Sequence, residues 1–170
     1  MADPVAHDRA NALQRFVRGF AASGPGSWLF ARIMHHVDRP VARLTAGRHT
    51  LSGLVSGMPT VMLTTTGART GRPRTVPVLG IPTSDGLAVI ASNFGQHRHP
   101  AWYHNLCAQP RAEVTVDGRH RPVRAVEARG ERRAQIWQLG LRVYPGFSQY
   151  ERRAAHRDIG VFVLEPSDAG

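Results

Sequence analysis

Three short stretches of this 170-residue chain hold side chains able to do chemistry. The first, TTTGARTGRPRTVPVLG at residues 64–80, sets Arg69, Arg72 and Arg74 among the hydroxyls of Thr66, Thr70 and Thr75. A guanidinium is a planar donor fork that matches phosphate and carboxylate oxygens. Gly67 and Gly71 let the backbone turn, and such a turn can aim its N–H groups at an anion. The spacing is not that of a Walker loop, since the glycines stand one position too close and the lysine is missing. The stretch also lies between two extended segments, not ahead of a helix, and no dinucleotide-binding glycine fingerprint occurs. Anion binding and a solvated basic turn both fit it.

The second stretch is ASNFGQHRHPAWYHNL, residues 91–106. An extended segment ends at Ser92 and Asn93, a glycine loop follows, and Pro100 opens a helix as a favourable first-turn residue. Free N–H groups at that helix start suit an anion or a carbonyl oxygen. Trp102 and Tyr103 offer aromatic surface, and Asn105 an amide. His97, His99, His104 and Cys107 are metal-ligand types, but no second cluster completes a tetrahedral site, so no metal is expected. His104 and Cys107 are expected to pack as helix residues. The third stretch, YPGFSQYERR at residues 144–153, repeats an aromatic every third position at Tyr144, Phe147 and Tyr150. On a short helix these share a face, which can line a core or wall a flat ligand.

These stretches need elements to position them. Strands are expected at Thr60–Thr66, 75–81, 87–92, 112–116, 122–127 and 159–164, from β-branched runs bounded by turn residues. Pro77 suggests an edge or a bulge. Asp117-Gly118 is a hairpin signal, and Ser84-Asp85-Gly86 a turn. Helices are expected over 100–108 and 131–143, with a further helical turn after Pro145. Short strands joined by hairpins, with few helices long enough for crossovers, argue a mainly β chain folded as an antiparallel barrel with flanking helices. Upstream, Leu13, Phe16, Val17 and Phe20 form one helical stripe, and a second amphipathic stretch over 28–44 is kinked at Pro40. Residues 1–57 are therefore expected as amphipathic helices packing on a barrel domain of residues 58–170. Their flanking arginines also suit contact with a membrane surface.

The net charge is +10, and all 22 basic residues are arginine. An anionic ligand or surface is the partner such a balance favours. A single cysteine excludes an internal disulfide framework and agrees with a reducing compartment. The N-terminal residues lack the basic flank and apolar run of a signal peptide, and no stretch reaches a membrane span of roughly 20 apolar residues. A cytoplasmic protein is expected, with membrane association through the N-terminal helices as a second use. Single-stranded nucleic acid is not the favoured partner, because the arginines spread along the chain and the aromatics gather near its end.

In order and spacing, TTTGARTGRPRTVPV, ASNFGQHRHPAWYHNL and the closing VFVLEP resemble the deazaflavin-dependent nitroreductase and quinone reductase family, whose enzymes use reduced coenzyme F420. The resemblance runs from about residue 58 to residue 166. It implies a split antiparallel β-barrel related to flavin-mononucleotide-binding barrels. It also implies cofactor contacts from Ala68, Arg69, Thr70, Arg74, Thr75, Val76, Pro77, Val78 and Leu79, which would meet a polyanionic phosphate and oligoglutamate tail. Ile90, Ala91, Ser92 and Asn93 would line the deazaflavin. Ala101, Trp102, Tyr103, His104 and Asn105 would grip the phosphate region. Tyr144, Phe147 and Tyr150 match the family's aromatic substrate wall, with Phe147 also set against the cofactor. The implied activity is hydride transfer to a quinone-like or nitroaromatic acceptor, with Ser92, Tyr144 and Tyr150 as catalytic donors to the charge that develops. Two departures stand out: Phe147 replaces the tyrosine of nitroimidazole-reducing members, and Asn93 replaces a lysine found in some. The rival readings are a flavin-mononucleotide oxidoreductase of the same barrel class, a basic nucleic-acid-binding barrel and a non-catalytic deazaflavin carrier.

Overall fold

The structure, a computed structural model, describes residues 59–167. Strand Thr60–Thr66 (β1) sets Val61, Leu63 and Thr65 on one buried face, and Met62 is buried on the other. The other strands are Pro73–Leu79 (β2), Ile81–Thr83 (β3), Gly86–Ile90 (β4), Arg111–Val116 (β5), Arg119–Glu127 (β6) and Val161–Pro166 (β7). Helices Ala101–Ala108 (α1), Gly130–Val143 (α2) and Phe147–Arg153 (α3) complete the described elements, with a 3-10 turn at Asn93–Gly95. Every neighbouring pair of strands is antiparallel, in the order β2-β1-β5-β6-β7-β4-β3.

That order forces curvature. Strands β2 and β3 occupy opposite edges of the sheet, yet Gly80 alone separates them in sequence. The sheet must therefore curl until its edges nearly meet, which makes a split barrel. Gly80 lies in the seam, where an added Cβ would fall 3.0 Å from a methyl of Val61 in β1 and 3.6 Å from Leu87 in β4. This overturns the single strand expected over 75–81: the chain breaks at Gly80 into β2, which starts at Pro73, and the short β3. Pro77 does sit on an edge strand, where its missing N–H costs no ladder bond. Asp117 and Gly118 take φ of 50° and 76°, the left-handed pair of a tight hairpin turn between β5 and β6.

Two apolar cores result among the described residues. Leu63, Val89, Val114, Val123, Phe162 and Leu164 fill the barrel, and Trp102 and Leu106 of α1 close it. On the outside, Ile136 and Trp137 of α2 and Phe147 and Tyr150 of α3 cover Ile81, Ala88, Ile90, Val161 and Val163. Strand β7 is thus buried on both faces, which is why VFVL is unbroken apolar sequence. The N-terminal stripe of Leu13, Phe16, Val17 and Phe20, and its expected packing or membrane contact, lie outside the described residues. Among the described residues no helix is long and apolar enough to cross a membrane.

Candidate active site

The arginine loop joins β1 to β2 and is tied to α1 by one buried amide. Asn105 Oδ1 accepts from the Ala68 N–H at 2.9 Å, and Asn105 Nδ2 donates to Thr65 Oγ1 at 2.9 Å. The loop then closes on itself: Gly67 N–H to Arg72 O at 2.9 Å, Thr70 N–H to Gly67 O at 3.1 Å and Gly71 N–H to Gly67 O at 2.8 Å. These amides are spent on the turn, so the backbone nest expected there is not formed. What the loop displays is side chains. Arg69, Arg72 and Arg74 are exposed and make no ion pair with any described residue, whereas Arg129 pairs with Glu127 and Arg132 with Asp85.

Alternation along β2 divides the expected cofactor contacts. Val76 and Val78 share the Arg74 face and pack toward the barrel core. Thr75 lies on the opposite face, where its hydroxyl meets that of Thr64 at 2.9 Å, and Leu79 packs on the outer core. Thr75, Pro77 and Leu79 can therefore offer only backbone atoms to a ligand on the Arg74 side.

The nest is at the end of β4 instead. Ser92 is right-handed helical (φ −67°, ψ −32°), and Asn93 and Phe94 follow with φ of 46° and 55°. A right-handed residue followed by a left-handed one turns successive N–H groups into one concavity. The N–H groups of Asn93 and Phe94 make no hydrogen bond among the described residues. Left-handed Phe94 is costly, on the order of 1–3 kcal/mol, and such strain gathers at functional sites. Its ring is held edge-on to Tyr150 at 5.9 Å, and Asn93 Nδ2 donates to Arg98 O at 2.8 Å. Ser92 is buried beside this turn, and Ile90 and Ala91 before it belong to the cores.

Helix α1 is rotated differently from expectation. Trp102, Asn105 and Leu106, at i, i+3 and i+4, face inward, which leaves Ala101, His104 and Cys107 exposed. His104 and Cys107 are therefore surface groups and not packed ones. Trp102 packs against Phe162 at 6.3 Å, so most of its ring belongs to the barrel core. Tyr103 is half-buried and stacks on His99 at 4.0 Å. Among the described residues no group of three or more histidines, cysteines or acids is placed to hold a metal ion.

The aromatic stripe is a buried unit. Tyr144, Phe147 and Tyr150 are 5%, 4% and 3% exposed, and the Tyr144 and Tyr150 hydroxyls are 2.8 Å apart. Burial, and next the neighbouring Tyr144, raise the pKa of Tyr150 far above the ordinary phenol value, so it is a hydrogen-bond donor and not a base. Gly146, which reads in sequence as a plain Pro-Gly turn, makes the pair possible, because a Cβ there would collide with the Tyr144 ring. Gly146→Ala should destabilise the fold by about 1–3 kcal/mol, the usual cost of overpacking. Thermal melts and near-ultraviolet circular dichroism would register it; an unchanged tyrosine spectrum would show the ring tolerates the methyl.

Sequence reasoning missed Thr65 and Gly146. Only Thr65, at an inward-facing strand position below the loop, carried a usable signal.

A sequence model of the F420H(2)-dependent quinone reductase family matches residues 36–166. A Mycobacterium tuberculosis protein named for that activity is 31% identical over 115 residues, 68% of this chain and 96% of its own. A second from the same species, also named an F420H(2)-dependent quinone reductase, is 37% identical over 83 residues, 48% of this chain and 56% of its own. Among solved structures, an F420-H2 dependent reductase superposes with a TM-score of 0.58 at 36% identity, covering 63% of this chain and 94% of that one.

Proposed function

The chain belongs to the F420H(2)-dependent quinone reductase family, and from that premise we propose that it passes a hydride from the reduced cofactor to a planar, electron-poor acceptor, a quinone first and a nitroaromatic second. It is an F420H2-dependent oxidoreductase, and coenzyme F420 is its cofactor. The observation that carries the reading of the site is the arginine loop. Three guanidinium groups without an acid partner among the described residues, on a loop pinned by Asn105, fit a polyanionic tail.

Reduced coenzyme F420, when bound, supplies the hydride. The protein's share is positioning and electrostatics. Arg69, Arg72 and Arg74 hold the anionic end. The open N–H groups of Asn93 and Phe94, beside the Ser92 hydroxyl, suit the oxygen-bearing edge of a flat heterocycle. Negative charge gathering on an acceptor oxygen is stabilised by donors already aimed before reaction begins. Ser92 and the Tyr144–Tyr150 hydroxyl pair are the donors assigned to it. Phe147 brings no hydroxyl to that wall, so nitroimidazoles should be poorer acceptors than quinones.

Titration with oxidised F420, reduced F420, flavin mononucleotide and NADPH, followed by tryptophan fluorescence, tests the cofactor assignment; tight binding of flavin mononucleotide alone would overturn it. With a quinone acceptor, Ser92→Ala and Tyr150→Phe should each lower kcat by about tenfold, one neutral hydrogen bond's worth, while F420 affinity changes little. Wild-type kcat in both variants would remove those residues from the reaction.

A further inference from the structure

We propose that Arg157 is the positioning residue that holds the left-handed turn at residues 92–95 in its ligand-accepting shape. Its guanidinium reaches both sides of the turn: Nη2 donates to Ser92 O at 2.9 Å, Nη1 to Ala91 O at 3.3 Å and Nε to Gln96 O at 3.1 Å. Nη1 also meets Asp158 O at 3.4 Å and His99 Nδ1 at 3.2 Å. It pairs with no carboxylate among the described residues. A half-buried cation used wholly on neutral acceptors is a framework element, and only the five-donor arginine fork can span them.

Peptide geometry makes the contact directional. In a trans peptide the C=O and the following N–H point opposite ways, and no cis bond occurs among the described residues. Ser92 O is drawn toward Arg157 and the Gly95 N–H at 2.9 Å. The Asn93 N–H must then point away from Arg157, into the concavity that Phe94 N–H shares. The positive charge of Arg157 stands behind that concavity and favours electron-rich atoms in it.

His99 reports on the arrangement. Because Arg157 donates to Nδ1, His99 must carry its proton on Nε2. Burial first, then Arg157 and His104, lower its pKa, with Asp158 and Glu127 opposing. Tyr103 stacks on the same ring.

The role toward the turn stands alone; the role toward F420 rests on the functional reading above. The test uses the full chain with Arg157→Lys, which keeps charge without the fork, and Arg157→Gln, which keeps neither. Nitrogen-15 spectra should show wild-type His99 as the Nε2–H tautomer. Its titration should move up in Arg157→Gln and stay lower in Arg157→Lys, and the Asn93 and Phe94 amide signals should shift in both. F420 affinity, by tryptophan fluorescence, should fall by about tenfold or more in both, tenfold being near the low end of what one charge-assisted hydrogen bond contributes. Wild-type affinity and wild-type amide signals in both variants would overturn the proposal. If the wild-type protein binds no F420, the functional reading fails, while the amide and His99 signals still decide the turn. Should neither variant fold, wild-type His99 found as the Nδ1–H tautomer overturns the proposal, and the Nε2–H tautomer supports it.

Discussion

Removing Arg69 and Arg74 together should weaken F420 binding by about 3–6 kcal/mol, taking about 1.5–3 kcal/mol for each charged hydrogen bond lost. That corresponds to roughly a hundredfold to ten-thousandfold in the dissociation constant. The melting temperature should hardly change, because neither guanidinium bonds to a described residue and the loop is closed by backbone and by Asn105. Salt gives a second readout. Exposed charges are screened beyond roughly 10 Å at 0.1 M ionic strength, so wild-type affinity should decline with added salt and the double variant should be much less sensitive. Arg142→Ala, an exposed arginine on α2, controls for net charge alone. If Arg142→Ala weakens binding about half as much as the double variant, which loses two charges to its one, the long-range field and not the loop sets affinity; if the double variant binds as the wild type does, the loop lies outside the site.

What could be read from the sequence was what depends on local pattern. The hairpin at Asp117-Gly118 was legible because two left-handed residues in a row leave few alternatives to that dipeptide. The seam at Gly80 was not, since one glycine between apolar runs looks like part of a strand until the edges must meet. The arginine loop was found, and its three guanidinium groups are displayed as expected, but the backbone N–H groups expected beside them are taken up by the turn. Glycines signal that a backbone turns, not where its N–H groups point, and here they point inward to close the loop. The real concavity involves Phe94 at positive φ, which no propensity would suggest. Trp102, Asn105 and Leu106 do follow helical spacing, so the inward face of α1 could have been read by counting from Trp102. Arg157 could not: a charged residue in a short connection gives no hint that the fold will fill it with carbonyl oxygens.

Asn105→Leu should be the most damaging single substitution near the site. It keeps the side-chain bulk but leaves the part-buried Ala68 N–H without a partner, at about 1–3 kcal/mol, and takes from the Thr65 hydroxyl the bond it accepts, at about 1 kcal/mol, leaving that hydroxyl its 3.5 Å bond to Arg74 O. A total of about 2–4 kcal/mol is a large part of a domain's net stability and should lower the melting temperature by several degrees or more. F420 affinity should fall with it, since the arginines act together only while the loop is pinned. Thr65→Val separates the two effects. It removes the hydroxyl and leaves an amide N–H of Asn105 unpaired, yet keeps the 2.9 Å bond between Asn105 and Ala68. Stability should therefore drop in both variants, and affinity chiefly in Asn105→Leu. Equal losses of affinity would mean that the bond to Ala68 is not what holds the loop, and that Asn105 acts only through the general integrity of the barrel's end.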